Sequence, residues 1–195
     1  MGRAIKFDRA VAVETCMNEF WLNGYEACSV KALSEKLGIT RSSFYNAFGS
    51  RQDLFLETLD LYATKTPDQV LNHAESASSV LGLLSDFFAD VCRFRASDPQ
   101  ARGCLVINSV SELAAVDEAL GENLQSMVLE NVSRFEGLLD LAVTKGELHH
   151  INVREKALAL QSLLMGVSVL SKVLTSEQEL LAIVRQTLTG LFPSN

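Results

Sequence analysis

Residues 40–51 read TRSSFYNAFGSR. Thr40 supplies a hydroxyl suited to capping a helix, RSSFYNAF can hold two turns, and Gly49 stops it. A helix so short contributes little to a core, so its composition points to another use. At 100° per residue, Phe44 and Phe48 fall on one side and Arg41, Ser42, Tyr45 and Asn46 towards the other. The spacing predicts an apolar face anchored on neighbouring helices and a polar face turned outwards.

The flanking residues extend this pattern. Upstream, Ser29 caps VKALSEKL, with Val30, Leu33 and Leu37 on one face and Gly38 as its stop. Before it, Asp8 caps a helix in which Ala10, Val13, Met17, Phe20 and Trp21 recur near the 3.6 period, ended by Gly24. Downstream, Ser50 and Asp53 have capping-box spacing, with Asp where Glu or Gln is usual. They start a helix through LFLETLDLYATK that ends near Pro67. Two short helices joined at Gly38–Ile39 have the form of a helix-turn-helix, whose second helix enters the major groove of DNA. There Arg41 can read guanine and Asn46 adenine. The hydroxyls of Ser29, Thr40, Ser43 and Tyr45 can bond phosphates. The same residues also suit a tight helical corner whose polar face meets only water.

The chain of 195 residues is 48% hydrophobic, enough for one large or two small domains with a sizeable core. Its three prolines, Pro67, Pro99 and Pro193, fall where helical patterns break, which predicts an all-α protein. Val80, Leu84, Phe87, Phe88, Val91 and Phe94 form one stripe, and CLVINSVSELAA a short helix. A long helix follows from about residue 117 to 145, with Leu124, Met127, Val128, Phe135, Leu138 and Leu139 inward. GELHHINV reads as a connection. EKALALQSLLMGVSVLSKVL is apolar almost all round, as a helix buried on more than one side would be. The last helix runs from Glu177 to Phe192.

The net charge of −7 is unevenly spread. Residues 1–51 hold seven Lys/Arg and five Asp/Glu, whereas residues 52–195 hold ten and nineteen. A mildly basic head on an acidic body would confine nucleic acid to the head. No apolar run is long enough to span a bilayer, and MGRAIKFDRAV lacks the pattern of a signal peptide, so a cytoplasmic protein with no membrane partner is expected. The four cysteines have no CxxC spacing and are expected as thiols. No nucleophile elbow, phosphate-binding glycine loop or HExxH occurs, and neither an enzyme, a cofactor nor a metal site is expected.

The segment from about Phe7 to Tyr62 resembles the N-terminal domain of TetR-family transcriptional regulators. The residues that carry the resemblance are Phe20-Trp21, Gly24-Tyr25, Ser29-Val30, Leu33-Ser34, Leu37-Gly38-Ile39-Thr40, Ser43-Phe44-Tyr45, Phe48 and Arg51-Gln52-Asp53-Leu54-Phe55. Ala47 stands where a histidine often precedes the phenylalanine. Ser34 replaces a usual alanine at a packing point, and Arg51 a usual lysine, keeping a positive charge for phosphate.

The resemblance implies a three-helix DNA-binding domain over residues 1–50 and a helical ligand-binding and dimerisation domain over residues 51–195. It further implies a homodimer built from the last two long helices, bound to a palindromic double-stranded DNA operator. The function expected is a repressor released by a small-molecule or thiol-reactive inducer. The inducer pocket is expected among Phe87, Phe88, Cys92, Cys104, Asn108, Met127, Phe135 and Met165. The helix from Ser50 to about Lys65 would couple pocket to head. Cys104, placed in the first turn of a helix beside Arg102, has the setting of a reactive thiol, and equally that of a small buried hydrophobe. His149 and His150 are adjacent and cannot pair as ligands on a helix. Arg3 and Lys6 could form an arm reaching phosphate or the minor groove. The rival readings are a helical small-molecule carrier and a protein-interaction adaptor.

Overall fold

The computed structural model describes residues 8–193, which form two compact units divided between Lys65 and Thr66. The expected arm at Arg3 and Lys6 lies outside the described residues. Among those residues the secondary structure is wholly helical.

The first unit holds α1 (Arg9–Asn23), α2 (Val30–Leu37), α3 (Arg41–Phe48) and α4 (Arg51–Thr64). Each begins at the residue its sequence nominates. Asp8 accepts from the amides of Ala10 and Val11, Ser29 from Ala32, Thr40 from Ser43 and Ser50 from Asp53. At the other end of α2, Gly38 takes the left-handed conformation at φ 67°, and Ile39 donates back to the Ser34 carbonyl at 3.0 Å. That reversal is one a Cβ would strain, and it redirects the chain into α3.

The core of this unit is aromatic. Phe20 meets Phe55 edge-on at 5.1 Å, Trp21 meets Tyr62 at 4.9 Å, and Phe44 meets Phe48 at 5.1 Å. α4 packs along α1 and so belongs to this unit by contact, although its first residue, Arg51, opens the second functional stretch read from the sequence.

The second unit begins with a 3-10 stretch, Pro67–Ser76, followed by α5 (Val80–Ala96), α6 (Leu105–Leu113), α7 (Glu118–Thr144), α8 (Val153–Leu170) and α9 (Glu177–Leu191). Its core joins Phe87, Phe88 and Cys92 of α5 to Phe135 and Leu139 of α7, Leu160 and Val167 of α8, and Leu180 and Val184 of α9. Asn131 donates to the buried Gln161 at 2.6 Å, a polar link between α7 and α8. Gly103 lies close to α8: a Cβ there would stand 2.7 Å from the Ser168 carbonyl oxygen.

The α7–α8 connection also secures the start of α5. Lys145 donates to the Glu75 and Ala77 carbonyls, the latter at 2.6 Å. Glu147 accepts from the Val80 amide at 2.7 Å, the Leu81 amide at 3.1 Å and the Ser79 hydroxyl at 2.6 Å. Burial alone would push the Glu147 carboxyl up. The Ser79 hydroxyl, the two amides and the Lys145 charge outweigh burial and hold it below the usual glutamate value. A carboxylate depressed in the folded state stabilises above its unfolded pKa and loses that contribution as pH falls through the folded one. Glu147→Gln is therefore expected to lower stability by about 1 kcal/mol at pH 7, the scale of a lost helix cap, and by less at pH 3. Urea unfolding at both pH values checks this, and an equal loss at both would remove the charge from the account.

Candidate nucleic-acid interface

The outer face of α3 is built by contrast with its inner one. Phe44 and Phe48 are buried, while Arg41, Ser42, Ser43, Tyr45 and Asn46 are exposed. Eight residues give a helix of about 12 Å in length, and the diameter of an α-helix, about 10–12 Å with its side chains, is what the major groove admits. Arg41 with Tyr45, and Ser42 with Asn46, lie one turn apart in two adjacent rows. The side chains of Arg41, Ser42 and Asn46 make no hydrogen bond or ion pair among the described residues. Tyr45 is 52% exposed, its ring touching Phe44 edge-on at 5.9 Å.

The hydroxyls proposed for phosphate are partly engaged at home. Ser29 Oγ accepts from the Ala32 amide at 3.2 Å, leaving its own proton available to donate. Thr40 Oγ1 accepts from the Ser43 amide at 3.1 Å, and the Thr40 and Ser43 hydroxyls hydrogen-bond each other at 2.9 Å. Arg51 is half-buried. Its guanidinium lies 3.9 Å from the Tyr25 ring centroid and donates at 3.2 Å to the Tyr25 carbonyl and to Glu26. It ties the start of α4 to the α1–α2 turn.

Other basic residues brace the unit in the same way. Arg9 forms a two-pronged pair with Glu57 and donates to the Ala47 carbonyl at 3.3 Å, while Lys36 pairs with Glu19 at 2.7 Å. Much of the positive charge counted in the head is thus matched by carboxylates, and Arg41 projects from the α3 face without such a partner among the described residues. The sequence reading missed these braces because their partners lie 17 to 48 positions away and no local pattern joins them. Ser34 is buried, and its hydroxyl has no hydrogen-bond partner among the described residues, so this position accepts serine for its size.

In the second unit, Phe87, Phe88, Cys92 and Phe135 come together as expected of neighbours. Phe88 stacks on Phe135 with ring planes 11° apart and centroids 6.2 Å apart. The other four stand elsewhere. Cys104 is the N-cap of α6, and Asn108 donates to the Arg102 carbonyl at 2.8 Å and accepts from Lys172 at 3.3 Å. Met127 and Met165 are half-exposed on α7 and α8. All four cysteines are free and buried. Burial pushes the thiol of Cys16 up to about 12 and that of Cys92 up to about 11, which keeps both protonated at neutral pH. Cys104 is 8% exposed, against 0% for Cys16 and Cys92. His149 and His150 are exposed on the α7–α8 connection. No helix of the described residues is long and apolar enough to cross a membrane.

A short capped helix held on two phenylalanines, following a glycine-reversed turn, defines a helix-turn-helix protein. Comparison with known proteins agrees. Residues 13–58 match the family described as bacterial regulatory proteins, tetR family, and residues 81–187 match the tetracyclin repressor-like C-terminal domain. The chain belongs to the TetR family of transcriptional regulators. It is 32% identical to the uncharacterized HTH-type transcriptional regulator YezE of Bacillus subtilis (strain 168), over 82% of each chain. It is 29% identical to the HTH-type transcriptional repressor ComR of Escherichia coli (strain K12), over 96% of this chain and 90% of that one. Among solved structures, a cysteine mutant of the TetR family regulator CifR, complexed with 26-bp double-strand operator DNA, superposes with a TM-score of 0.85. The two are 29% identical, and the match covers 96% of this chain and 98% of that one.

Proposed function

We propose that this regulator is a cytoplasmic, homodimeric repressor that binds a palindromic operator through α3 and is released by a small-molecule or thiol-reactive inducer. The observation that carries the DNA reading is the α3 face, where Arg41, Ser42 and Asn46 are exposed and make no hydrogen bond or ion pair among the described residues, on a helix fixed by Phe44 and Phe48. Arg41 and Asn46 read bases, and Ser29, Thr40, Ser42, Ser43 and Tyr45 hold the backbone. Arg51 adds charge near the phosphates while bracing α4. Residues 1–50 carry all of these contacts but that of Arg51, and residues 51–195 carry the effector and partner functions. The description of ComR as a repressor and the operator complex of CifR support this reading.

The exposed apolar face of α8 supports dimerisation. Leu158, Ser162, Met165 and Val169 recur at helical spacing along one face, with Leu158 43% and Val169 50% exposed. Gly166 has open space about it, whereas Ser168 and Ser171 are buried within their own unit. The partner would thus approach the Leu158–Val169 face, while the Ser168 carbonyl faces Gly103 within the chain and accepts from the Ser171 hydroxyl at 2.9 Å.

The inducer favours the dimer state whose heads are wrongly spaced for two half-sites, and α4 transmits the change. Of the eight residues expected from the sequence, Phe87, Phe88, Cys92 and Phe135 pack together and would line the effector pocket, whereas Cys104, Asn108, Met127 and Met165 stand apart from it. Cys104, the most accessible of the four thiols, supplies the reactive route. Cys104→Ser is expected to keep operator binding and to lose release by N-ethylmaleimide in a gel-shift assay. Equal release from both proteins would remove Cys104 from the mechanism.

Footprinting on the DNA upstream of its own gene, with a salt series, tests the whole reading. A protected palindrome is expected, with affinity falling steeply as salt rises. No binding there or to random genomic DNA, at low salt and without effector, would favour the carrier or adaptor.

A further inference from the structure

Between the end of α6 and the first half of α7 lies an open groove of about 460 Å³ that shares no residue with the effector pocket proposed above. Its size falls within the range of small-molecule sites, about 300–1,000 Å³. Leu124, Val128 and Leu129 give it an apolar wall, and Leu129 is left 45% exposed. Gly121 fixes its shape, because a Cβ there would stand 2.8 Å from the Ala114 carbonyl oxygen, and its absence lets α7 lie against the end of α6.

The groove's charge is of one sign. Glu118 and Glu122 line it one turn apart, no basic residue does, and neither carboxylate has an ion-pair partner among the described residues. Like charges at this spacing repel. The helix dipole favours Glu118 in the first turn of α7, but its effect fades before Glu122. Both carboxylates are exposed at the rim of the groove, so an anion would be repelled here and a cation attracted while each carboxylate keeps its water. A cation with an apolar body satisfies both parts of the lining.

We propose that this groove binds an organic cation with an aromatic or aliphatic body, a reading that rests on the C-terminal unit being the effector-binding part. The test is calorimetric titration of the full chain, without DNA, using tetraphenylphosphonium and its opposite-charge counterpart of like shape, tetraphenylborate. The cation is expected to bind at least tenfold tighter than the anion. Glu118→Gln with Glu122→Gln should weaken cation binding at least tenfold and abolish the preference, with an unchanged circular dichroism spectrum. Glu75→Gln with Glu179→Gln removes the same charge elsewhere and should leave binding within twofold. No preference for the cation, or equal weakening by both double variants, would overturn the proposal. So would an affinity that falls as the chain self-associates, since a second copy would then be the occupant. Release of operator DNA is measured separately. Cation binding without release would leave this site standing and remove it from induction, whereas release by other compounds without cation binding would do the reverse.

Discussion

Replacing Arg41 and Tyr45 together by alanine is expected to lower operator affinity by about 10²–10³-fold while leaving the fold and the assembly unchanged. Each group removed is of the kind whose base or phosphate contact contributes about 1–3 kcal/mol, and the pair sits at the centre of the α3 face. Among the described residues neither side chain makes a hydrogen bond or ion pair, and Tyr45, 52% exposed, touches the core through its edge-on contact with Phe44. Fluorescence anisotropy with operator DNA gives the affinity, and thermal melting with sedimentation gives the controls. The salt series adds a second readout. If Arg41 holds a phosphate, Arg41→Ala lowers the salt slope by about one; if it reads a base, the loss depends on sequence. Unchanged affinity in both single variants would place the recognition face elsewhere.

The second large effect concerns α8. Leu158→Asp combined with Val169→Asp is expected to yield a monomer and to reduce operator affinity by about 10²–10⁴-fold, the factor contributed by linking two modules. The two residues lie on the same face, and both are already about half exposed in the single chain. Charge there costs little in a monomer but places four carboxylates in an apolar seam between two copies. Sedimentation velocity reads the assembly, and denaturation of the separated chain shows whether it still folds. A variant that remains dimeric with full operator affinity would move the interface to another surface.

Legibility followed the range of the interaction. The capping residues Asp8, Ser29, Thr40 and Ser50 were readable because each bonds an amide two or three residues away. Gly38 was readable as a stop because φ 67° disfavours any Cβ. The Pro67–Ser76 stretch was not seen at all. It buries only Leu71 and Ala74, and a 3-10 helix repeats too briefly to mark a sequence. The helix read as running from Glu155 to Leu174 runs instead from Val153 to Leu170. Val173 and Leu174 are apolar enough to suggest that it continues, yet the chain turns there through short-range bonds such as Val173 to the Leu170 carbonyl.

The sequence by itself determined the all-helical class, the helix-turn-helix and the residues on its outer face, since periodicity and caps are local and α3 needs only two phenylalanines to orient it. Tertiary structure alone decided which charges are committed. Arg9, Lys36 and Arg51 count as basic in the sequence, but folding sets them against Glu57, Glu19 and Glu26, leaving Arg41 projecting from α3. It also divided the expected effector residues, gathering Phe87, Phe88, Cys92 and Phe135 and setting Cys104, Asn108, Met127 and Met165 apart. Such groupings depend on which helix faces meet, and that is fixed by the packing of the whole unit rather than by any one segment.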